Sequence, residues 1–275
     1  MRPEDFVVSV SQGVPQSVRE LFWLVFFASR GRGISLDAHF PWLEDEIDVV
    51  CLQIADVRPR THDTPLAALL IRKVDVAKGK CIGLVGLVCV AEEWRGKGLS
   101  TKLLSKAAEL GREINLSALV LWTQKPDVYV GQGFRVDEQD IFCHVKKNIS
   151  IYPTEKYSTN SWPDKKALEK KQGLAPFATF GEIIKSQKAS LVVFHSAQIS
   201  TLVDWEGEDV DVISLLHSAL PDHWALTSNE DERLIFLLKE QGFHVEYRSS
   251  SVRMIKVLDA VTSIKIPQIN IMDRI

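Results

Sequence analysis

Arg95-Gly96-Lys97-Gly98-Leu99-Ser100 gathers two cations, two glycines and a hydroxyl into six residues, the composition of an anion cradle. Glycines at 96 and 98 let backbone N–H groups approach an anion with no Cβ in the way, and Arg95 and Lys97 add charge. Cys81–Val90 (CIGLVGLVCV) precedes the stretch, an apolar run of strand length with β-branched residues. Leu99, Leu103, Leu104, Ala107 and Leu110 follow at helical spacing. A helix N-terminus offers unpaired N–H groups and the positive end of a dipole, which suits a phosphate. The spacing therefore predicts a diphosphate site at a strand-to-helix turn.

Two other phosphate motifs fail on local context. A P-loop needs Ser or Thr after its lysine, and Lys97 is followed by Gly98. A dinucleotide fingerprint needs a third glycine where Thr101 stands. Arg30-Gly31-Arg32-Gly33 copies the cradle, but no strand precedes it and Pro41 cuts short any following helix, so it reads as a loop.

The 275 residues allow one large domain or two modest ones, and 45% apolar with 25% charged residues is ordinary for a soluble globular chain. A net charge of −3 gives no electrostatic footprint for nucleic acid or an anionic membrane. The first residues lack the apolar core of a signal peptide, and LFWLVFFA (21–28) is too short to span a bilayer. Cys51, Cys81, Cys89 and Cys143 show no Cys-x-x-Cys pairing, and the histidines show no ligand spacing. Buried free thiols in a reducing cytoplasm and no metal site are expected.

The elements that must position the cradle read as a helix over about 15–29 and an irregular piece over 31–46, then strands near 48–56, 65–75 and 81–90. The cradle helix follows, then a strand over 117–123, a short helix, and strands near 134–138 and 141–147. Residues 149–188, with Pro153, Pro163, Gly173 and Pro176, read as a linker containing a basic helical turn; Lys165, Lys166, Lys170 and Lys171 read as its solvated face. Beyond it the pattern returns: strands at 189–195 and 199–203, a helix from Gly207 to Leu220, a strand at 223–227, and a helix at 230–241 ending in Gly242-Phe243. Gly98 and Gly133 stand 35 residues apart, and so do Gly207 and Gly242. The repeated order predicts a second copy of the same half-fold. Its turn, Trp205-Glu206-Gly207-Glu208-Asp209, replaces the cations with acids that would repel a diphosphate.

Over roughly residues 15–148 the chain resembles the GNAT acyltransferase superfamily. Arg95 and Gly98 fit its Gln/Arg-x-x-Gly-x-Gly/Ala turn, with Ser100 in place of the last small residue. The strand Ala118–Thr123 leads to Tyr129-Val130-Gly131-Gln132-Gly133-Phe134, which matches the family's Tyr-x-x-x-Gly-Phe. The resemblance implies an α/β (α+β) fold, with a mixed, largely antiparallel sheet flanked by helices. It also implies acetyl-CoA as cofactor, residues 1–148 as the catalytic domain, 149–188 as linker and 189–275 as a degenerate GNAT-like domain.

The same resemblance assigns roles. Arg95, Gly96, Lys97, Gly98, Leu99 and Ser100 would hold the CoA diphosphate. Val88 and Val90 would offer main-chain hydrogen bonds to the pantetheine arm and polarise the thioester carbonyl. Tyr129 would protonate the departing thiolate. Lys125-Pro126 departs from the family, which often has Asn there. The base that deprotonates the amine stays open among Glu92, Glu93 and Asp56, with Glu93 the named candidate. Phe22, Trp23, Phe26 and Phe27 form an apolar helix face that could wall the acceptor side. Arg30, Arg32, His39 and Trp42 lie in a segment of the kind that reads ligands. The implied function is N-acetyl transfer to a small-molecule amine or a protein lysine, by a cytoplasmic monomer or homodimer that binds no nucleic acid and no membrane. The alternative is a catalytically silent acyl-CoA-binding or sensing protein.

Overall fold

The computed structural model describes residues 6–31, 33–55, 64–76, 79–147, 155–227, 232–259 and 265–275. Along the chain run β1 (Val8–Gln12), α1 (Gln16–Phe26), α2 (Leu36–His39), β2 (Val49–Ala55), β3 (Pro65–Val76) and β4 (Lys80–Val90). Next come α3 (Leu99–Glu113), β5 (Ala118–Thr123), α4 (Asp127–Val130) and β6 (Arg135–Lys146). The rest are β7 (Ser158–Ser161), α5 (Lys165–Glu169), β8 (Phe180–Lys185), β9 (Ser190–His195), β10 (Ser200–Glu206), α6 (Asp209–Ala219), β11 (His223–Thr227), α7 (Glu232–Glu240) and β12 (His244–Val257).

The chain folds as two compact units. The first takes Met1–Glu138, Val252–Pro267 and Ile275, and the second takes Gln139–Ser251 and Gln268–Arg274. These bounds differ from the sequence-based division. The stretch expected as a linker supplies β7, α5 and β8 to the second unit. The strands expected at 134–138 and 141–147 are one strand, β6, and β1 has no counterpart in the sequence reading.

In the first unit the strand order is β1-β2-β3-β4-β5-β12, where β12 contributes Val252–Val257. All neighbours are antiparallel except β4 and β5. This is the mixed, largely antiparallel sheet expected. One face packs on α3 through Leu99, Leu103, Leu104, Ala107 and Ala108, all buried. Each such side chain is stabilising by about 1.5–3 kcal/mol when fully buried, alanine by less. The other face packs on α1 and α2 through Val18, Leu21, Phe22, Phe27 and Leu36.

In the second unit the order is β6-β11-β10-β9-β8-β7, with β10 and β11 parallel and the rest antiparallel. Its core is built by α6 and α7 on one face, through Val212, Leu215, Leu216, Leu234 and Leu238. The two units thus complete their sheets crosswise. β6 follows α4 in sequence but pairs with β11, and β12 follows α7 but pairs with β5.

Candidate active site

The site in the first unit starts from a fault in β4. Its register against β3 runs Leu70↔Gly86 and then Ala68↔Cys89, so β4 carries one extra residue. The bulge holds Leu87 at φ 49°, a left-handed conformation that costs a branched residue energy and persists only where packing imposes it. Glycines inside a strand signal such a fault, and Gly83 and Gly86 stand just before it. A Cβ on Gly86 would overlap Ile275, so only glycine admits that side chain. β4 pairs with β5 only from Ile82↔Ala118 to Leu84↔Val120, and the two strands part below the bulge. Val88 lies in the bulge, whereas Val90 stays in the ladder opposite Ala67. The Val90 carbonyl accepts a hydrogen bond from Arg95 Nε at 3.3 Å.

After β4 a 3-10 turn (Glu92–Trp94) leads to the cradle, with Glu92 and Glu93 exposed upon it. Gly96 and Gly98 have φ of 75° and 74°, and a Cβ at either would meet nothing within 4 Å. Gly98 is the N-cap of α3, and neither a capping side chain nor an acid in the first turn satisfies the helix's leading N–H groups. Leu99 is buried and anchors the helix, while Ser100 is half-buried. Lys97 lies with its ammonium 4.0 Å from the centre of the Trp94 ring, a cation–π contact. An open, uncapped turn of glycines with exposed cations fits a diphosphate.

Tyr129 sits on the short helix α4, which starts after Pro126, a residue suited to a first turn. Its ring meets Phe134 edge-on at 6.0 Å and packs on the same core cluster as Val88, Val90 and Leu99. Burial pushes its phenol above the ordinary tyrosine value, so the hydroxyl stays protonated at neutral pH. That hydroxyl has no hydrogen-bond partner among the described residues. Two contacts hold the turn. Gln132 Nε2 donates to Thr101 Oγ1 of α3 at 3.4 Å, and Lys256 Nζ donates to the Gln132 carbonyl at 2.6 Å. Lys256 belongs to β12, so no local signal in the sequence could have found it.

Asp56 and Arg32 lie outside the described residues. His39 and Trp42 do not form a reading loop: both are 2% exposed, and His39 stacks on Phe27 at 4.8 Å. The aromatic density that suggested ligand contact serves core packing there. Phe22 and Phe27 are likewise fully buried, whereas Arg30 is exposed. Among the described residues no cluster of His, Cys, Asp or Glu could hold a metal, and no helix is long and apolar enough to cross a membrane.

The second unit repeats these parts with different contents. The register of β10 on β9 jumps from Leu202↔Val193 to Asp204↔Val192, and β10 pairs with β11 only as far as Leu202. Gly242, φ 82°, ends its short turn as Gly133, φ 79°, ends the first. The Phe243 N–H donates to the Leu238 carbonyl as the Phe134 N–H donates to that of Tyr129. Leu238 is fully buried.

The first unit is thus a mixed sheet split at a bulged strand, with a glycine turn opening the following helix. Residues 16–132 match the model of the acetyltransferase (GNAT) family. The structure is similar to a GCN5-related N-acetyltransferase from Anabaena variabilis ATCC 29413, with a TM-score of 0.59 and 13% identity, covering 92% of this chain and 73% of that one. It is also similar to a probable N-acyltransferase from Enterococcus faecalis V583 (TM-score 0.58, 9% identity, 92% and 73% covered). A tandem GNAT protein from the clavulanic acid biosynthesis pathway gives a TM-score of 0.52 at 11% identity, covering 93% and 100%. At such identities the likeness concerns the fold. No curated protein matches the chain in sequence.

Proposed function

We propose that the first unit transfers an acetyl group from acetyl-CoA to a primary amine in a ternary complex, and that the second unit is a GNAT-like module without a CoA site. The observation that carries this reading is the open, uncapped turn at Gly98 beside the β4 bulge. Backbone N–H groups of residues 96–100, with Arg95, would hold the diphosphate. Main-chain groups freed by the bulge at Val88 would polarise the thioester carbonyl. The amine nitrogen attacks the acyl carbon, the C–S bond breaks, and the thiolate takes the Tyr129 proton. The proton lost by the amine passes to a carboxylate, with Glu93 the candidate. The acceptor is a small amine or a lysine side chain.

Calorimetric titration with acetyl-CoA, run beside an acetyl-CoA hydrolysis assay, tests the reading. One site per chain with slow hydrolysis is expected. No binding at millimolar ligand would reduce the glycine turn to a structural turn, and two sites per chain would overturn the account of the second unit.

A further inference from the structure

The second unit contains a cavity of about 100 Å³ on the sheet face covered by α5. Its floor is two cross-strand rows. Lys185, Ser190 and Glu206 stand opposite one another on β8, β9 and β10, and Ile183, Val192 and Asp204 form the next row. The bulge in β10 falls just before Asp204, at the edge of this floor. Trp162 and Trp205 also line it.

The charges are arranged across the cavity. The two carboxylates stand on β10 and Lys185 two strands away, a span of roughly 10 Å at ordinary strand spacing that a flexible lysine stem can close. Lys166 pairs with Glu206 at 3.2 Å. Partial burial pushes the Asp204 carboxyl up and Glu206 adds to this, while Lys166 and Lys170 hold it back. Asp164 Oδ1 is occupied by the Ala167 N–H as the cap of α5. Lys185 makes no ion pair among the described residues. The indole N–H of Trp162 is buried with no hydrogen-bond partner there, and a buried unpaired donor is costly unless something outside the chain accepts from it.

A simple anion entering this cavity would meet Asp204 and Glu206, and a simple cation would meet three lysines. A ligand carrying both charges avoids both penalties. We propose that this cavity binds a free α-amino acid as its zwitterion. The carboxylate would lie toward Lys185 and the ammonium toward Asp204, with the side chain against the Trp162 ring. The site lies in the second unit and needs no CoA.

The test follows the Trp162 indole N–H resonance in ¹⁵N-labelled full-length protein, assigned through Trp162→Phe. L-Alanine, L-leucine and L-phenylalanine are titrated, with inorganic phosphate and isobutylamine as single-charge controls. At least one amino acid should shift the resonance saturably, with neither control doing so. Lys185→Met and Asp204→Asn alter groups at the cavity rim, and each should weaken that binding about tenfold or more while other amide resonances stay in place. No saturable shift from any amino acid overturns the proposal, as does an equal response to phosphate, or unchanged affinity in both variants. Because no CoA is present, this failure would leave the reading of the first unit untouched.

Discussion

The turns at Gly98 and Gly207 both lead from a bulged strand into a helix, but Gly98 caps α3 itself in a left-handed conformation whereas Gly207 precedes the cap residue Glu208. Neither helix has a side-chain cap, but around Gly98 the space is open to 4 Å and no acid occupies the first turn of α3. At Gly207, φ 135°, a Cβ would lie 2.8 Å from the Lys188 carbonyl, so the protein's own backbone fills the space. Asp209 and Asp211 stand in the first turn of α6, paired with Arg233 and Lys188. Those acids satisfy the helix dipole from within. One turn leaves its positive end without an acid, and the other carries two. The lesson is that the same strand-to-helix step can leave its turn open or fill it with neighbouring backbone.

The comparison breaks most completely at Gly98. Gly98→Val places a branched side chain in the open space at a φ of 74°, and should abolish measurable acetyl-CoA binding by calorimetry while far-ultraviolet circular dichroism is retained. Retained affinity would end the diphosphate assignment. Tyr129→Phe comes next. Turnover should fall by about 10²–10⁴-fold with CoA affinity little changed, since the variant removes a proton donor and no cradle contact. Because burial raises the phenol's pKa, the donor stays protonated as pH rises past 10, the ordinary value, and a rate profile should show no loss from this group below that pH.

A smaller effect is expected from Lys256→Met. It removes the 2.6 Å bond to the Gln132 carbonyl, so the Tyr129 turn loses one of its two ties. Turnover should drop about tenfold while the KM for acetyl-CoA holds; an equal loss in both would point to plain unfolding. In the second unit, Gly207→Ala should cost about 1–3 kcal/mol in chemical denaturation through overpacking against Lys188 and Ala189, with no change in CoA binding. The smallest effect sharpens the contrast. Glu206→Lys with Glu208→Lys should leave the stoichiometry at one CoA per chain, because charge alone does not reopen a turn closed by backbone.

Much of the frame was legible because its signals are local. The periodicity from Leu99 marks the start of α3, and the apolar run at 81–90 marks β4 to within one residue. The two glycine pairs share one spacing, and a run of three strands, a helix, a strand and a helix occurs in both units. What escaped the reading is non-local or cross-strand. The polar string of β7 carries no hydrophobic alternation, and all four of its residues are exposed. The fate of His39 and Trp42 depends on Phe27 and Phe40, whose rings meet them only once the segment folds back. The bulge at Leu87 depends on register with β3. Lys256 reaches Gln132 from more than a hundred residues away.

The crosswise completion of the two sheets also bears on how the protein is made. A ribosome that has released residues 1–148 has supplied the cradle, α3 and Tyr129, but not the strand that covers β5. Until Val252–Val257 emerges, β5 presents an unpaired edge of apolar sequence, ALVLWT, open to pairing with another chain. The first unit therefore matures after most of the second has been synthesised. A gene cut at residue 148 would encode a sticky half-sheet, whereas a split that supplies residues 244–275 in trans has the missing strand to offer.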